Sequence, residues 1–108
     1  TRRETSHLKV QVLRLGQEVL KRIKEIRDDI TLKPDIMLLD LILPDMNGIE
    51  ILINIRGNNR TKDMKVFILT NQEGAENQMP QGVKADKIII KANTTPTDLV
   101  EIIKKELT

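Results

Sequence analysis

The sequence contains no cysteine, which excludes disulfide frameworks, thiolate zinc sites and cysteine nucleophiles. Phe67 is its only aromatic residue, and one phenylalanine cannot build the stacking platforms with which proteins bind single-stranded nucleic acid or RNA. Lysine and arginine together number 18 against 16 aspartates and glutamates, and the resulting net charge of +2 gives no electrostatic footprint for DNA. We therefore expect no direct nucleic-acid partner.

Long hydrophobic runs are also missing. No apolar stretch approaches the roughly 20 residues of a membrane span, and no apolar core of a signal peptide follows the charged amino-terminal residues. We expect no membrane partner and a cytoplasmic location. A chain of 108 residues suits one hydrophobic core, so residues 1–108 are expected to form a single domain.

Three short, almost continuous apolar runs predict buried parallel strands. They cover residues 36–39, 66–69 and 88–90. A polar residue follows each run directly, namely Asp40, Thr70 and Lys91. Ligands and reactive groups of open parallel sheets collect outside the carboxyl ends of the strands, so we expect these three side chains to lie together.

Apolar residues at helical spacing predict two helices between and after these strands. The first begins at Asn47 and ends at Gly57, and the second begins at a cap in residues 95–98 and runs to Leu107. Residues 71–85 contain one proline and two glycines. Because an interior proline costs a helix roughly 3 kcal/mol, this segment is expected to be an irregular loop or a broken helix.

The first thirty residues allow two interpretations. Their apolar residues recur at spacings of three and four, which one long helix would satisfy. Alternatively, a strand ends at Leu15 and Gly16 turns the chain into a helix from Gln17 to Asp29. The β-branched residues and Gly16 favour the second interpretation. The alternation of strands and helices predicts an α/β fold with a parallel sheet and flanking helices.

The three polar residues at the strand ends have complementary chemistry. A carboxylate such as Asp40 can accept a phosphoryl group and form an aspartyl phosphate. The hydroxyl of Thr70 and the ammonium of Lys91 can bind phosphoryl oxygens as negative charge accumulates on them. By contrast, a phosphatase is disfavoured because no Gly-rich phosphate loop is present.

Residues 34–48, with the sequence PDIMLLDLILPDMNG, resemble the phosphoacceptor segment of response-regulator receiver domains. Asp40 stands at the position of the phosphorylated aspartate. Residues 67–70 are similar to the family's fourth strand, which ends in a switch Thr or Ser, and residues 85–91 to the fifth strand, which ends in a lysine. The resemblance runs from about Val10 to the carboxyl terminus.

This resemblance implies a receiver (flavodoxin-like) fold and a function in two-component signalling. A sensor histidine kinase or phosphotransfer protein would donate a phosphoryl group to Asp40, and Thr70 and Lys91 would switch a surface that binds a downstream protein. Mg²⁺ would be held by Asp40 and the backbone carbonyl of Ile42. Such a domain is not an enzyme beyond self-catalysed phosphorylation and dephosphorylation.

One departure from the family pattern concerns its first strand and the two acidic residues after it, which hold Mg²⁺. Nothing upstream of Val10 matches them, so we expect an amino-terminally incomplete fold. Three explanations are open: the chain begins inside a longer parent, residues 9–15 fill the gap, or another chain supplies the strand through a homodimer or strand exchange. An alternative function follows, a pseudo-receiver that binds partners without being phosphorylated.

Smaller departures occur elsewhere. The doublet Asp28-Asp29 is expected to be a pair of solvated helix residues and not a metal pair. Ile88 stands where the family often has an aromatic residue, and Ala92 replaces the proline that usually follows the lysine. The only histidine, His7, is expected to be exposed.

Overall fold

The computed structural model describes Leu13 and residues 15–107. His7 and most of residues 9–15, where we expect a strand, lie outside these described residues. Leu15 has extended backbone angles, and the helix α1, Gly16–Asp28, begins directly after it. The interpretation as one long amino-terminal helix is therefore wrong, because the chain is not helical at Leu15.

The sheet contains three parallel strands in the order β1-β2-β3 within the described residues. Their bounds are Ile36–Asp40 for β1, Lys65–Thr70 for β2 and Lys87–Ile90 for β3. The predicted parallel α/β sheet is thus confirmed. The central strand β2 is the most deeply buried, whereas β1 has one fully buried residue, Leu39, and four half-buried ones.

Two further helices complete the layers on the sheet. Helix α2 spans Gly48–Arg56 and helix α3 spans Pro96–Leu107. The amide of Asp98 donates to the Thr95 hydroxyl at 3.1 Å, and the Thr95 amide donates to the Asp98 carboxylate at 3.0 Å. This reciprocal cap confirms the predicted start of α3. No helix among the described residues is long and apolar enough to cross a membrane.

The segment between β2 and β3 is irregular, as predicted. It contains one short 3-10 turn, Ala75–Gln78. Gly74 and Gly82 adopt positive φ angles of 75° and 85° on either side of that turn, a conformation that side chains disfavour. The crossover from β2 to β3 therefore contains no α-helix.

The hydrophobic core lies between the sheet and the apolar faces of α1 and α2. Because these faces repeat with the helical period, each helix turns one aliphatic stripe inward. The fully buried members on these elements include Ile23 and Ile26 of α1, Ile51, Leu52 and Ile55 of α2, and Val66 and Ile68 of β2.

Arg56 binds several groups at the amino edge of the sheet, which is the edge where the strands begin. Its guanidinium donates to the carbonyl oxygens of Lys62 at 2.8 Å, Met64 at 2.5 Å and Lys84 at 3.0 Å. It also pairs with the Asp86 carboxylate at 2.9 Å. The acceptors precede β2 and β3, so one side chain ties α2 to the starts of two strands. We call this set of contacts the Arg56 clasp.

Candidate functional site

The carboxyl edge of the sheet carries the three predicted site residues. Asp40 is the last residue of β1, Thr70 is the last residue of β2, and Lys91 follows β3 directly. Asp40 pairs in register with Leu69, and Thr70 pairs with Ile90. The parallel pairing therefore brings three chemically different side chains to one edge, although they are far apart in the sequence.

Asp40 and Lys91 are in direct contact. The Lys91 ammonium donates to Oδ2 of Asp40 and forms an ion pair with it. Oδ1 of the same carboxylate accepts the backbone N–H of Ile42 at 3.1 Å. The side chains of Asp40 and Lys91 are 35% and 42% exposed, so the carboxylate is oriented by two donors and is still open to solvent.

Thr70 is buried, with 2% of its surface exposed. Its Oγ1 accepts the backbone N–H of Gln72 at 3.0 Å and has no hydrogen bond to Asp40 or Lys91. A hydroxyl that accepts one hydrogen bond can still donate its own proton. The structure thus joins two of the predicted residues directly and places the third at the end of the neighbouring strand, without a hydrogen bond to either of them.

The loop after Asp40 folds back on itself before α2 begins. Ile42 and Asn47 form an antiparallel bridge, and the Gly48 N–H donates to the carbonyl of Leu41 at 2.6 Å. A Cβ atom on Gly48 would lie 2.3 Å from the carbonyl oxygen of Asp40, closer than such atoms approach one another. Glycine at this position therefore lets α2 start directly against the end of β1.

Asp45 attaches this loop to α1, a contact that sequence reasoning missed. Its two carboxylate oxygens accept the backbone N–H groups of Gly16 at 2.6 Å and Gln17 at 3.0 Å. The hydrogen bond from Gly16 lowers the pKa of the Asp45 carboxyl below its usual range, and the hydrogen bond from Gln17 lowers it by a smaller amount. The sequence did indicate that α1 needs a cap from elsewhere, because Leu15, which precedes α1, has no side chain that could cap the helix.

The acidic doublet does not join the site. Asp28 is the last residue of α1, at the end of the helix that leads into the start of β1. The Asp29 carboxylate accepts the Thr31 hydroxyl at 2.6 Å and the Thr31 N–H at 3.1 Å. The hydrogen bond from the Thr31 hydroxyl, followed by the one from its N–H, lowers the pKa of Asp29. Asp29 therefore acts as a local cap of the turn that follows it.

The described residues do not assemble a metal site. No group of three or more His, Asp or Glu side chains that could hold a metal ion occurs among them. Both oxygens of the Asp40 carboxylate already have protein donors, whereas Mg²⁺ requires several oxygen ligands. The residues in this part of the chain therefore do not fit Mg²⁺ on their own, and the Ile42 carbonyl as a ligand stays a prediction.

A family model described as "Response regulator receiver domain" matches residues 2–104. The chain belongs to the response regulator receiver family. The match begins upstream of Val10, where the resemblance read from motifs starts. A receiver domain of two-component signalling accounts for the parallel sheet and for the residues gathered at its carboxyl edge.

Curated relatives of this receiver domain are longer proteins. Chemotaxis protein CheV2 of Helicobacter pylori is 30% identical over 73 residues, which make up 67% of this chain and 23% of that protein. The phosphate regulon transcriptional regulatory protein PhoB of Pseudomonas aeruginosa is 36% identical over 77 residues, 69% of this chain and 33% of the relative. The chain thus matches a quarter to a third of these relatives' length.

Solved structures share the fold of this receiver domain. The phosphorylated cyanobacterial phytochrome response regulator RcpA matches with a TM-score of 0.72 at 23% identity, over 96% of this chain and 75% of the other. The bacteriophytochrome response regulator RtBRR matches with a TM-score of 0.71 at 25% identity, over 88% of this chain and 59% of that one.

Proposed function

We propose that this receiver domain accepts a phosphoryl group on Asp40 from a partner histidine kinase or phosphotransfer protein. Thr70 and Lys91 then bind the new phosphoryl group, and a surface that contacts a downstream protein changes. The observation that carries this proposal is the ion pair between Lys91 and Asp40 at the carboxyl edge of the sheet, with the hydroxyl of Thr70 on the neighbouring strand.

The chemistry follows from the contacts of these side chains. An oxygen of Asp40 forms a bond to phosphorus while the bond from phosphorus to the donor's histidine nitrogen breaks. The electron pair of that bond goes to the imidazole, which takes up a proton from solvent. Lys91 is already beside the carboxylate and would pair with the added negative charge.

Thr70 supplies the switching step. Its hydroxyl proton is not used in a hydrogen bond to Asp40 or Lys91, and the loop that follows it is held by the Gln72 N–H. Donation of that proton to a phosphoryl oxygen would draw the end of β2 and residues 71–85 toward Asp40. Such a movement shifts the population between two surface conformations.

Receiver domains in general bind Mg²⁺, and the described residues of this one do not complete a site for it. This observation favours a second candidate function, a pseudo-receiver that keeps the fold and binds partner proteins without phosphorylation. Both candidates place the protein in signalling through protein partners, and they differ in whether Asp40 is modified.

Intact mass after incubation with phosphoramidate, with and without Mg²⁺, tests the proposal. We expect a gain of one phosphoryl group that is lost in Asp40→Asn and retained in Asp45→Asn, a matched control in the same loop. Circular dichroism establishes that each variant is folded. A folded protein that gains no mass under either condition would contradict phosphorylation and favour the pseudo-receiver.

A further inference from the structure

Asn71 connects the end of β2, where Thr70 lies, to the turn that carries Lys91. Its side-chain Oδ1 accepts the backbone N–H of Ala92 at 2.9 Å. Asn71 directly follows Thr70, and Ala92 directly follows Lys91. One amide oxygen therefore links the residues immediately after two of the three site residues.

This hydrogen bond lies beyond the last paired residues of β2 and β3. The last register pair of β2 and β3 is Thr70 with Ile90. Beyond it, residues Lys91–Asn93 form a 3-10 turn that is closed locally, by the Thr94 N–H to the Lys91 carbonyl at 3.2 Å. The bond from Ala92 to Asn71 continues the connection between the two strands past their ladder.

Lys91 needs such a support because its side chain is long and half exposed. A lysine loses rotamer freedom when its ammonium is held in one place. If the backbone of the loop also moved, still more conformational freedom would be lost when the Lys91 ammonium is placed on Asp40. Fixing the backbone at Ala92 removes that part of the cost, since Ala92 is the next residue along the chain.

The contact depends on the residue type at both ends. Asparagine supplies a carbonyl oxygen on a short side chain, and alanine supplies a backbone N–H. A proline at position 92 has no N–H and could not donate. Ala92 therefore retains the N–H that the contact with Asn71 requires.

We propose that Asn71 is a positioning residue for Lys91: through Ala92 it holds the turn that places the ammonium on Asp40. This inference rests on the proposed phosphorylation of Asp40 for its effect on the reaction.

Two measurements on the full chain test this role. The first uses no phosphodonor and records nuclear Overhauser contacts between the side chains of Lys91 and Asp40. Asn71→Ala is expected to weaken these contacts while the thermal unfolding midpoint stays near that of the parent. An unchanged Lys91 to Asp40 contact in Asn71→Ala would overturn the proposal.

The second measurement is the initial rate of phosphoryl gain from phosphoramidate. Asn71→Ala is expected to slow it about three- to tenfold, the effect of one hydrogen bond. The same substitution should slow the reaction equally in an Ala92→Ser background, which keeps the N–H, and have no further effect in an Ala92→Pro background, which lacks it. Equal slowing in both backgrounds, or no slowing in the parent, would refute the role.

Failure of the two proposals can be told apart. If the parent chain gains no phosphoryl group, the proposed function fails, and the contact between Lys91 and Asp40 alone decides whether Asn71 positions the lysine. If the parent is phosphorylated and Asn71→Ala reacts at the same rate, the proposed function stands and the positioning role is wrong.

Discussion

The two edges of the sheet are held in different ways. At the amino edge Arg56 is only 14% exposed and bonds to three carbonyl oxygens and one carboxylate. At the carboxyl edge Lys91 is 42% exposed and contacts one carboxylate oxygen of Asp40. Side chains at the amino edge fix the strands, whereas those at the carboxyl edge can exchange partners, as phosphorylation of Asp40 would require.

Removing the Arg56 clasp should have the largest effect on stability. Arg56→Ala leaves several carbonyl oxygens and the Asp86 carboxylate without their donor, and we expect the free energy of unfolding to fall by about 3 kcal/mol. Chemical denaturation measures this loss. Arg56→Lys should restore only part of it, because an ammonium lacks the planar fork of donors. A loss in Arg56→Ala below about 1 kcal/mol would remove the contrast between the edges.

The backbone of the carboxyl edge should be nearly as sensitive. Gly48→Ala places a Cβ atom 2.3 Å from the Asp40 carbonyl oxygen, and we expect a loss of about 2 kcal/mol in chemical denaturation. Gly57→Ala is the control, since its Cβ would lie 3.2 Å from the nearest atom, and it should cost less. Equal losses would show that the close approach of Gly48 is not the cause.

The side chains of Asp40 and Lys91 at the same edge should contribute little to stability. Lys91→Ala is expected to change the free energy of unfolding by less than about 1 kcal/mol, because the ion pair with Asp40 is half exposed. The same variant should gain phosphoryl groups from phosphoramidate at least about tenfold more slowly. A large loss of stability in Lys91→Ala, with no change in its rate of phosphoryl gain, would contradict the comparison between the two edges.

Asp45 should produce the smallest effect, one that depends on pH. Its folded-state pKa is lowered by the N–H groups of Gly16 and Gln17. Its stabilising contribution is therefore present above the unfolded-state pKa of about 4, and is lost as the pH falls through the lower folded-state pKa. Thermal midpoints measured on both sides of this range should show a smaller decline on acidification in Asp45→Asn. Identical declines would show that the helix cap is not linked to pH.

The sequence predicted the elements whose signal is local. Continuous apolar runs gave the positions of β1, β2 and β3, and a polar residue after each run indicated which side chains share an edge. Spacing of apolar residues and recognisable caps located α2 and α3. These predictions are confirmed within a residue or two, since propensity and burial act along a short stretch of chain.

The contacts that tie distant segments together could not be read in this way. The Arg56 clasp, the Asp45 cap on α1 and the hydrogen bond from Ala92 to Asn71 each join residues brought close only by the folded sheet. Such polar contacts have no characteristic spacing or composition in the sequence. The sequence therefore does not indicate which residue a given side chain will contact. The elements of the early segment could be predicted only in part. Gly16 indicated the start of α1, whereas most of the strand expected before it lies outside the described residues.

The parallel register described for the sheet has a consequence for how quickly the protein folds. Among the described residues, both strand pairs join residues about 20 to 30 positions apart, and no hairpin connects neighbouring strands there. The entropy of closing long loops must therefore be spent before any ladder forms. We expect the helices to form contacts early and locally, whereas the edge that carries Asp40, Thr70 and Lys91 should assemble only once β1, β2 and β3 have met. We therefore expect the proposed phosphoacceptor site to form at a late stage of folding.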